Sequence, residues 1–194
     1  MFAKGHQPSH KNKITTTDPI RGEDIQKVRR YLDGRTRDLA VWSVGTNCAL
    51  RAGDLLSLTW EDIEDHDDRI AFVLREKKTG KLRRVLLNPV ATADLRAWRR
   101  VSDSTHIFAS QRGGALTVAA LGRMIKAWAL EAGVDAKRVA SHSMRKTWCR
   151  AMVDQYNEPL YKMMWALNHN SERQTATYIG LLGDEVQALY NRVV

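Results

Sequence analysis

The chain has 194 residues, with 31 Lys plus Arg against 22 Asp plus Glu, and so carries a formal charge of +9. Its 43% hydrophobic and 27% charged residues describe a globular chain with one sizeable core, which excludes disorder over most of the length and leaves no room for two ordinary domains. No apolar run approaches the roughly 18 residues of a membrane helix, and the opening MFAKGHQPSHKNK lacks the apolar centre of a secretory signal, so a cytoplasmic chain with no membrane partner is expected. Residues 1–18 are polar, with Lys4, Lys11 and Lys13 and three consecutive threonines, and are expected to form a flexible basic arm ahead of a single domain over 19–194. Pro19 and Gly22 punctuate the entry to a helix over about 23–32, where Ile25, Val28 and Leu32 recur at helical spacing. The apolar segment 38–58 is long enough for two helices, separated near Gly45 to Asn47. Segments 69–75 and 81–87 flank the turn-like Lys78-Thr79-Gly80, and Ile70, Phe72 and Leu74 against Val85 and Leu87 give the alternation of a hairpin. Helices are expected at about 91–101, 117–132, 143–155, 158–167, 172–179 and 184–193. In the second of these Val118, Leu121, Ile125, Trp128 and Ala132 form an apolar packing stripe. The class is α+β: mainly α-helical, with a small antiparallel sheet. Cys48 and Cys149 fall in apolar, helical stretches and read as small core residues, with neither a disulfide nor a cysteine-based zinc site expected.

Charge is segregated along the chain. Residues 69–84 hold seven Lys or Arg against the single acid Glu76, residues 137–150 hold five more with no acid, and 61–68 hold six carboxylates. That distribution predicts a basic face for a polyanion such as nucleic acid, with an acidic face turned away. A solvated surface of ordinary lysines is the plainer alternative.

Four local features carry chemistry. Arg51 lies in an apolar run and calls for a buried anion; Asp54, three residues on, can form a structural pair with it or orient its guanidinium toward a ligand. In His142-Ser143-Met144-Arg145, an imidazole near a helix N-terminus and a guanidinium one turn on would suit an anion such as phosphate, although a surface histidine beside an arginine also explains the spacing. Ser171 and Gln174 have the spacing of a capping box, which starts a helix after His169 and lets His169 and Tyr178 converge. A tyrosine there is a buried hydrogen-bonded residue or, with cations and an imidazole acceptor beside it, a nucleophile; alone, a phenol titrating near ~10 stays protonated at neutral pH. Lys78 at the hairpin tip can protonate a leaving alkoxide, and its neighbours Lys77 and Lys81 compete for that role.

Together these features resemble the catalytic domain of the tyrosine recombinase family, the phage-integrase type, over roughly residues 18–194. The family's Arg-x-x-Glu box is similar to Leu50-Arg51-Ala52-Gly53-Asp54-Leu55, with Asp for the commoner Glu. Its hairpin lysine corresponds to Lys78, its His-x-x-Arg box to His142–Arg145, its Leu-Gly-His box to Leu167-Asn168-His169, and its Thr-x-x-Tyr box to Thr175–Tyr178. Asn168 stands where the family usually has glycine, and Gly180 where many members carry histidine. About 20 mostly polar residues precede the first helix, in place of the extra N-terminal clamp domain of most members; the expectation is a single-domain member or a fragment.

The resemblance implies site-specific cleavage and rejoining of duplex DNA through a 3′-phosphotyrosyl intermediate, giving integration, excision or inversion without metal or other cofactor. Tyr178 would be the nucleophile, and Arg51 and Arg145 would hold the phosphate. Lys78 would protonate the leaving oxygen, His142 would relay the tyrosine proton, His169 would bond the phosphate and Asp54 would brace the site. Lys77, Lys81, Arg83 and Lys146 are the DNA-contact candidates. Implied partners are double-stranded DNA with specific recombination sites, a homotetramer formed on DNA by exchange of the helix over 184–193, and accessory DNA-bending proteins, with the nucleoid as the place of action. The rival expectations are a type IB topoisomerase-like enzyme and a non-catalytic DNA-binding regulator of the same fold.

Overall fold

A computed structural model describes residues 17–180 except Thr79. The expected arm, apart from Thr17 and Asp18, and the expected helix over 184–193 lie outside the described residues. The described elements run α1 (Glu23–Tyr31), α2 (Thr36–Asn47), α3 (Ala52–Ser57), β1 (Ile63–Asp65), β2 (Ile70–Arg75), β3 (Leu82–Leu86), α4 (Pro89–Arg99), α5 (Val118–Glu131), α6 (Ser141–Tyr156), α7 (Leu160–Leu167) and α8 (Glu172–Ile179). The mainly helical class with one antiparallel sheet is therefore the observed one. No described helix is long and apolar enough to cross a membrane.

Helix starts follow side-chain chemistry. Asn88 accepts the Ala91 amide ahead of α4, with Pro89 in the first helical position, and Thr117 accepts the Ala120 amide ahead of α5. Ser171 accepts the Gln174 amide at 3.1 Å and starts α8 at Glu172, where the capping spacing predicted it.

The sheet has the order β1-β2-β3, with Phe72 of β2 opposite Ile63 on one side and Val85 on the other. Its central strand buries Ile70, Ala71, Phe72 and Leu74, whereas β3 buries Val85 and leaves Leu82 and Leu86 exposed. The third strand, β1, falls in the acidic run, which lacks the apolar alternation that marks a strand. Its pairing corrects the expectation of an acidic face turned away from the basic one. Arg84 reaches Glu64 at 2.8 Å, Arg69 reaches Asp68 at 2.5 Å, and Arg96 of α4 reaches Asp65 at 2.5 Å, so much of the acidic run neutralises its basic neighbours.

The expected break near Gly45 to Asn47 is also displaced. Helix α2 continues to Asn47, and a Cβ at Gly45 would fall 2.5 Å from the Met144 sulfur, so this glycine serves the close approach of α2 to α6. The chain leaves helical geometry at 48–51 instead, and Arg51 becomes the extended residue that opens α3.

Two apolar clusters result. The larger joins Trp42, Phe72, Leu95, Phe108, Leu121 and Ile125 under the sheet and α2, α4 and α5. The smaller contains Ala49, Cys149, Met163, Leu167 and Ile179, with Trp148, Leu160 and Tyr178 packed on it, and it seats α7 and α8 against α6. Both cysteines are buried and free, as expected of core residues.

Candidate active site

Four separate stretches of chain meet at one cavity of about 420 Å³. It is lined by Arg51 from the start of α3, Lys78 and Lys81 from the hairpin, His142 and Arg145 from α6, Asn168, His169 and Asn170 from the α7–α8 turn, and Gln174 and Tyr178 from α8. All six residues singled out as catalytic candidates are among them. A larger groove of about 860 Å³ on α2, β3, α6 and α7 contains none of the six.

The α6 helix begins at Ser141, which puts His142 in its first turn and Arg145 one turn later. Arg145 is 3% exposed, donating one N–H to the Ala49 carbonyl and another to Leu167 O at 2.8 Å. The second bond ties a cation to the C-terminal carbonyls of α7, where the helix dipole favours it. Helix α7 ends on Asn168 in the left-handed region (φ 53°), and the His169 amide reaches back to Met164 O at 2.9 Å. Asparagine tolerates this conformation better than other side chains with a Cβ, which accounts for its presence where the family pattern has glycine.

Tyr178 lies at the convergence. Its ring meets His169 edge-on at 5.3 Å and 82°, with the Arg145 guanidinium 5.9 Å and the Lys146 ammonium 5.3 Å from its centroid. Its hydroxyl is buried beside the Arg145 guanidinium and has no hydrogen-bond partner of ordinary geometry among the described residues, which disfavours the reading of an ordinary hydrogen-bonded tyrosine. Burial pushes the phenol up to about 12, against the opposing pull of Arg145. His169, whose Nδ1 is 3.1 Å from Thr175 Oγ1, is held down at about 4, first by burial and then by Arg145, Arg51 and Lys78. His142 is shifted down by burial and by Arg145, Lys146 and Arg51. Both rings are therefore held toward the neutral form at pH 7, in a cavity lined by several cations.

The depressed His169 has a consequence for stability. Above its ordinary pKa the ring is neutral in folded and unfolded chains alike; as pH falls from about 6.5 to about 4 only the unfolded chain takes up the proton, and stability drops across that window. The variant His169→Asn, which can keep a bond to Thr175, is expected to lose less melting temperature between those pH values than the parent, as measured by circular dichroism.

Arg51 faces two carboxylates, the expected Asp54 and a second one, Glu76. Its guanidinium bonds Glu76 at 2.9 Å and lies 3.9 Å from Asp54, whose other oxygen accepts the Lys77 amide at 3.0 Å. Asp54 thus holds the backbone beside Lys78, and Glu76 is the principal anion of Arg51. Sequence reasoning missed Glu76 as a site residue; the only sign of it was a lone acid in a basic run.

The DNA-contact candidates separate. Lys77 is exposed at the hairpin tip and Lys81 lines the cavity, with its ammonium 3.3 Å from Asn168 Oδ1. Arg83 points inward instead, bonding Glu76 at 2.9 Å and Ala166 O at 2.6 Å, because its β3 position brings it over the end of α7. Lys146 is half-buried, donating to Thr17 O at 2.8 Å beside the Tyr178 ring. The 137–150 run is likewise dispersed, Arg138 pairing with Asp18 and Arg150 with Asp154.

A phenol, two imidazoles, two guanidiniums and two ammoniums around one cavity are the groups that nucleophilic chemistry on a phosphate-like anion calls for. The family profile described as "Phage integrase family" matches residues 20–183. This chain belongs to the phage integrase family, the tyrosine recombinases. It is 28% identical over 176 residues to the probable integrase/recombinase YoeC of Bacillus subtilis (strain 168), covering 89% of this chain and 94% of that one. It is 30% identical over 158 residues to the tyrosine recombinase XerC of Xanthomonas campestris pv. campestris (strain B100), covering 80% of this chain and 48% of the relative, so it spans about half the length of that protein. Among solved structures, XerA recombinase superposes with a TM-score of 0.74 at 21% identity, over 97% of this chain and 66% of that one. A lambda integrase (75-356) dimer bound to a COC′ core site superposes with a TM-score of 0.68 at 17% identity, over 90% and 62%. These two likenesses show the shared fold.

Proposed function

We propose that the chain is a site-specific DNA recombinase that cuts and rejoins duplex DNA through a phosphotyrosyl intermediate. The observation that carries this reading is the buried Tyr178 hydroxyl, without a hydrogen-bond partner of ordinary geometry among the described residues, in a cavity with Arg51, Lys78, His142, Arg145 and His169. The phenolic oxygen attacks the phosphorus, the bond from phosphorus to the 5′ oxygen breaks, the phenol proton passes to His142, and Lys78 protonates the departing 5′ oxygen. Arg51 and Arg145 hold the nonbridging oxygens, whose charge grows in the transition state; removing one such contact typically costs on the order of 10²–10³ in rate. His169, with Nδ1 on Thr175, offers Nε2 to the phosphate, and arrival of that anion raises both histidine pKa values toward their ordinary range. The phosphotyrosyl bond conserves the energy needed for religation, so exchange uses neither a nucleotide nor a metal ion.

The partner is duplex DNA carrying paired sites, engaged by Lys77 and Lys81 at the hairpin tip, and the place of action is the nucleoid. The assembled form is a tetramer on DNA in which residues 184–193 dock on a neighbouring copy; the 860 Å³ groove, bordered by the 78%-exposed Trp165, is a suitable receptor. Accessory DNA-bending proteins complete the assembly. The test is incubation with nicked suicide duplexes carrying the repeats that flank the coding region, followed by denaturing electrophoresis. A protein–DNA adduct that persists in chelator supports the reading, and mass spectrometry should place the linkage on the peptide containing Tyr178. Binding without an adduct on every duplex would favour the non-catalytic regulator.

A further inference from the structure

The reaction outlined above gives no task to the most deeply buried carboxylate among the described residues. The Glu76 carboxylate is 1% exposed. Its Oε2 accepts from Arg51 at 2.9 Å and from the Asn168 side-chain amide at 2.9 Å, and its Oε1 accepts from Arg83 at 2.9 Å. The main chain of the same residue closes the hairpin turn: its amide donates to Lys81 O at 3.0 Å and its carbonyl accepts from the Gly80 amide at 2.8 Å. One residue therefore fixes a cavity guanidinium, the left-handed cap that precedes His169, and the turn that carries Lys78. A buried carboxylate costs free energy unless it is paired, and here two guanidiniums and an amide meet it. Filling the space alone would need no charge.

We infer that Glu76, clasped by the Asn168 amide, is a positioning residue for strand cleavage, setting Arg51 and the Lys78 turn against the His169 side of the cavity. The inference rests on the proposed strand-transfer reading. Arg51 left without its carboxylate would sample several rotamers, and a guanidinium misplaced by an ångström loses much of its effect on a transition state.

The test compares single-turnover cleavage of a nicked suicide duplex by the parent chain, Glu76→Gln, Asn168→Gly and the double variant, with DNA affinity by gel shift and melting temperature measured alongside. Glu76→Gln keeps the shape and removes the charge; Asn168→Gly keeps the left-handed backbone and removes the clasp. The expected result is a fall of about 10²-fold for Glu76→Gln and about 10-fold for Asn168→Gly, with affinity within about threefold and the double variant no slower than Glu76→Gln. If Glu76 acts through Arg51, its deficit should also shrink on a methylphosphonate substrate, whose neutral phosphorus centre makes less use of a guanidinium. Cleavage by Glu76→Gln within twofold of the parent overturns the inference, as does a loss that is equal on both substrates and tracks the melting temperature. A parent chain that yields no adduct removes the strand-transfer reading, and this inference with it; a parent that cleaves while Glu76→Gln keeps pace removes this inference alone.

Discussion

Tyr178→Phe is expected to abolish the covalent adduct while leaving the folded chain at least as stable as before and its DNA affinity within about twofold. The first half follows from chemistry: phenylalanine has no oxygen to attack phosphorus, and no other described residue shares the position of the phenol among Arg51, Arg145, His142 and His169. The second half follows from the environment of the hydroxyl, which is buried and has no hydrogen-bond partner of ordinary geometry among the described residues, so that its removal loses at most a marginal contact with the Arg145 guanidinium and relieves a desolvated polar atom by up to about 1 kcal/mol. The ring contacts with His169 and the Lys146 ammonium survive the substitution. Denaturing electrophoresis and thermal melting check the two halves separately. An adduct formed by the phenylalanine variant would place the nucleophile elsewhere, and a marked loss of melting temperature would reveal a structural duty for the hydroxyl.

How far the site could be read before the fold was known differs residue by residue, for physical reasons. The approach of His169 to Tyr178 was legible because it depends on local rules: a cap at Ser171 starts a new helix, and eight helical residues bring Tyr178 round to face the turn. His142 and Arg145 were legible for the same reason, being one helical turn apart. Glu76 was not, because its importance arises from three contacts made across 25, 7 and 92 residues of chain, none of which leaves a local pattern. The inward bonds of Arg83 were hidden on the same ground: within a basic hairpin nothing local distinguishes an arginine that faces solvent from one turned onto α7. Gly45 misled because glycine has two uses, breaking a helix and admitting a neighbour, and only the position of Met144 decides between them. The acidic run failed as an independent face because pairing of β1 with β2 is a tertiary event.

Arg145→Lys separates the two duties of this guanidinium. The native fork bonds the Ala49 carbonyl before α3 and the Leu167 carbonyl at the end of α7, and still lines the cavity. An ammonium carries three donors at one point and cannot span two carbonyls and a phosphate. The lysine variant therefore keeps the long-range charge that attracts DNA and loses the geometry. Cleavage in single turnover is expected to fall by about 10²–10³-fold, and affinity by no more than about threefold. Melting temperature should fall too, since the Ala49 carbonyl would keep only its 3.5 Å bond from Arg83 and a buried Leu167 carbonyl deprived of its guanidinium costs about 1–3 kcal/mol. That loss makes a comparison with Arg145→Ala informative, because alanine abandons both carbonyls and the charge together. If lysine recovers stability relative to alanine but not cleavage, the transition state needs the planar fork itself; equal recovery of both would reduce Arg145 to a strut between α3 and α7, with phosphate recognition carried by Arg51.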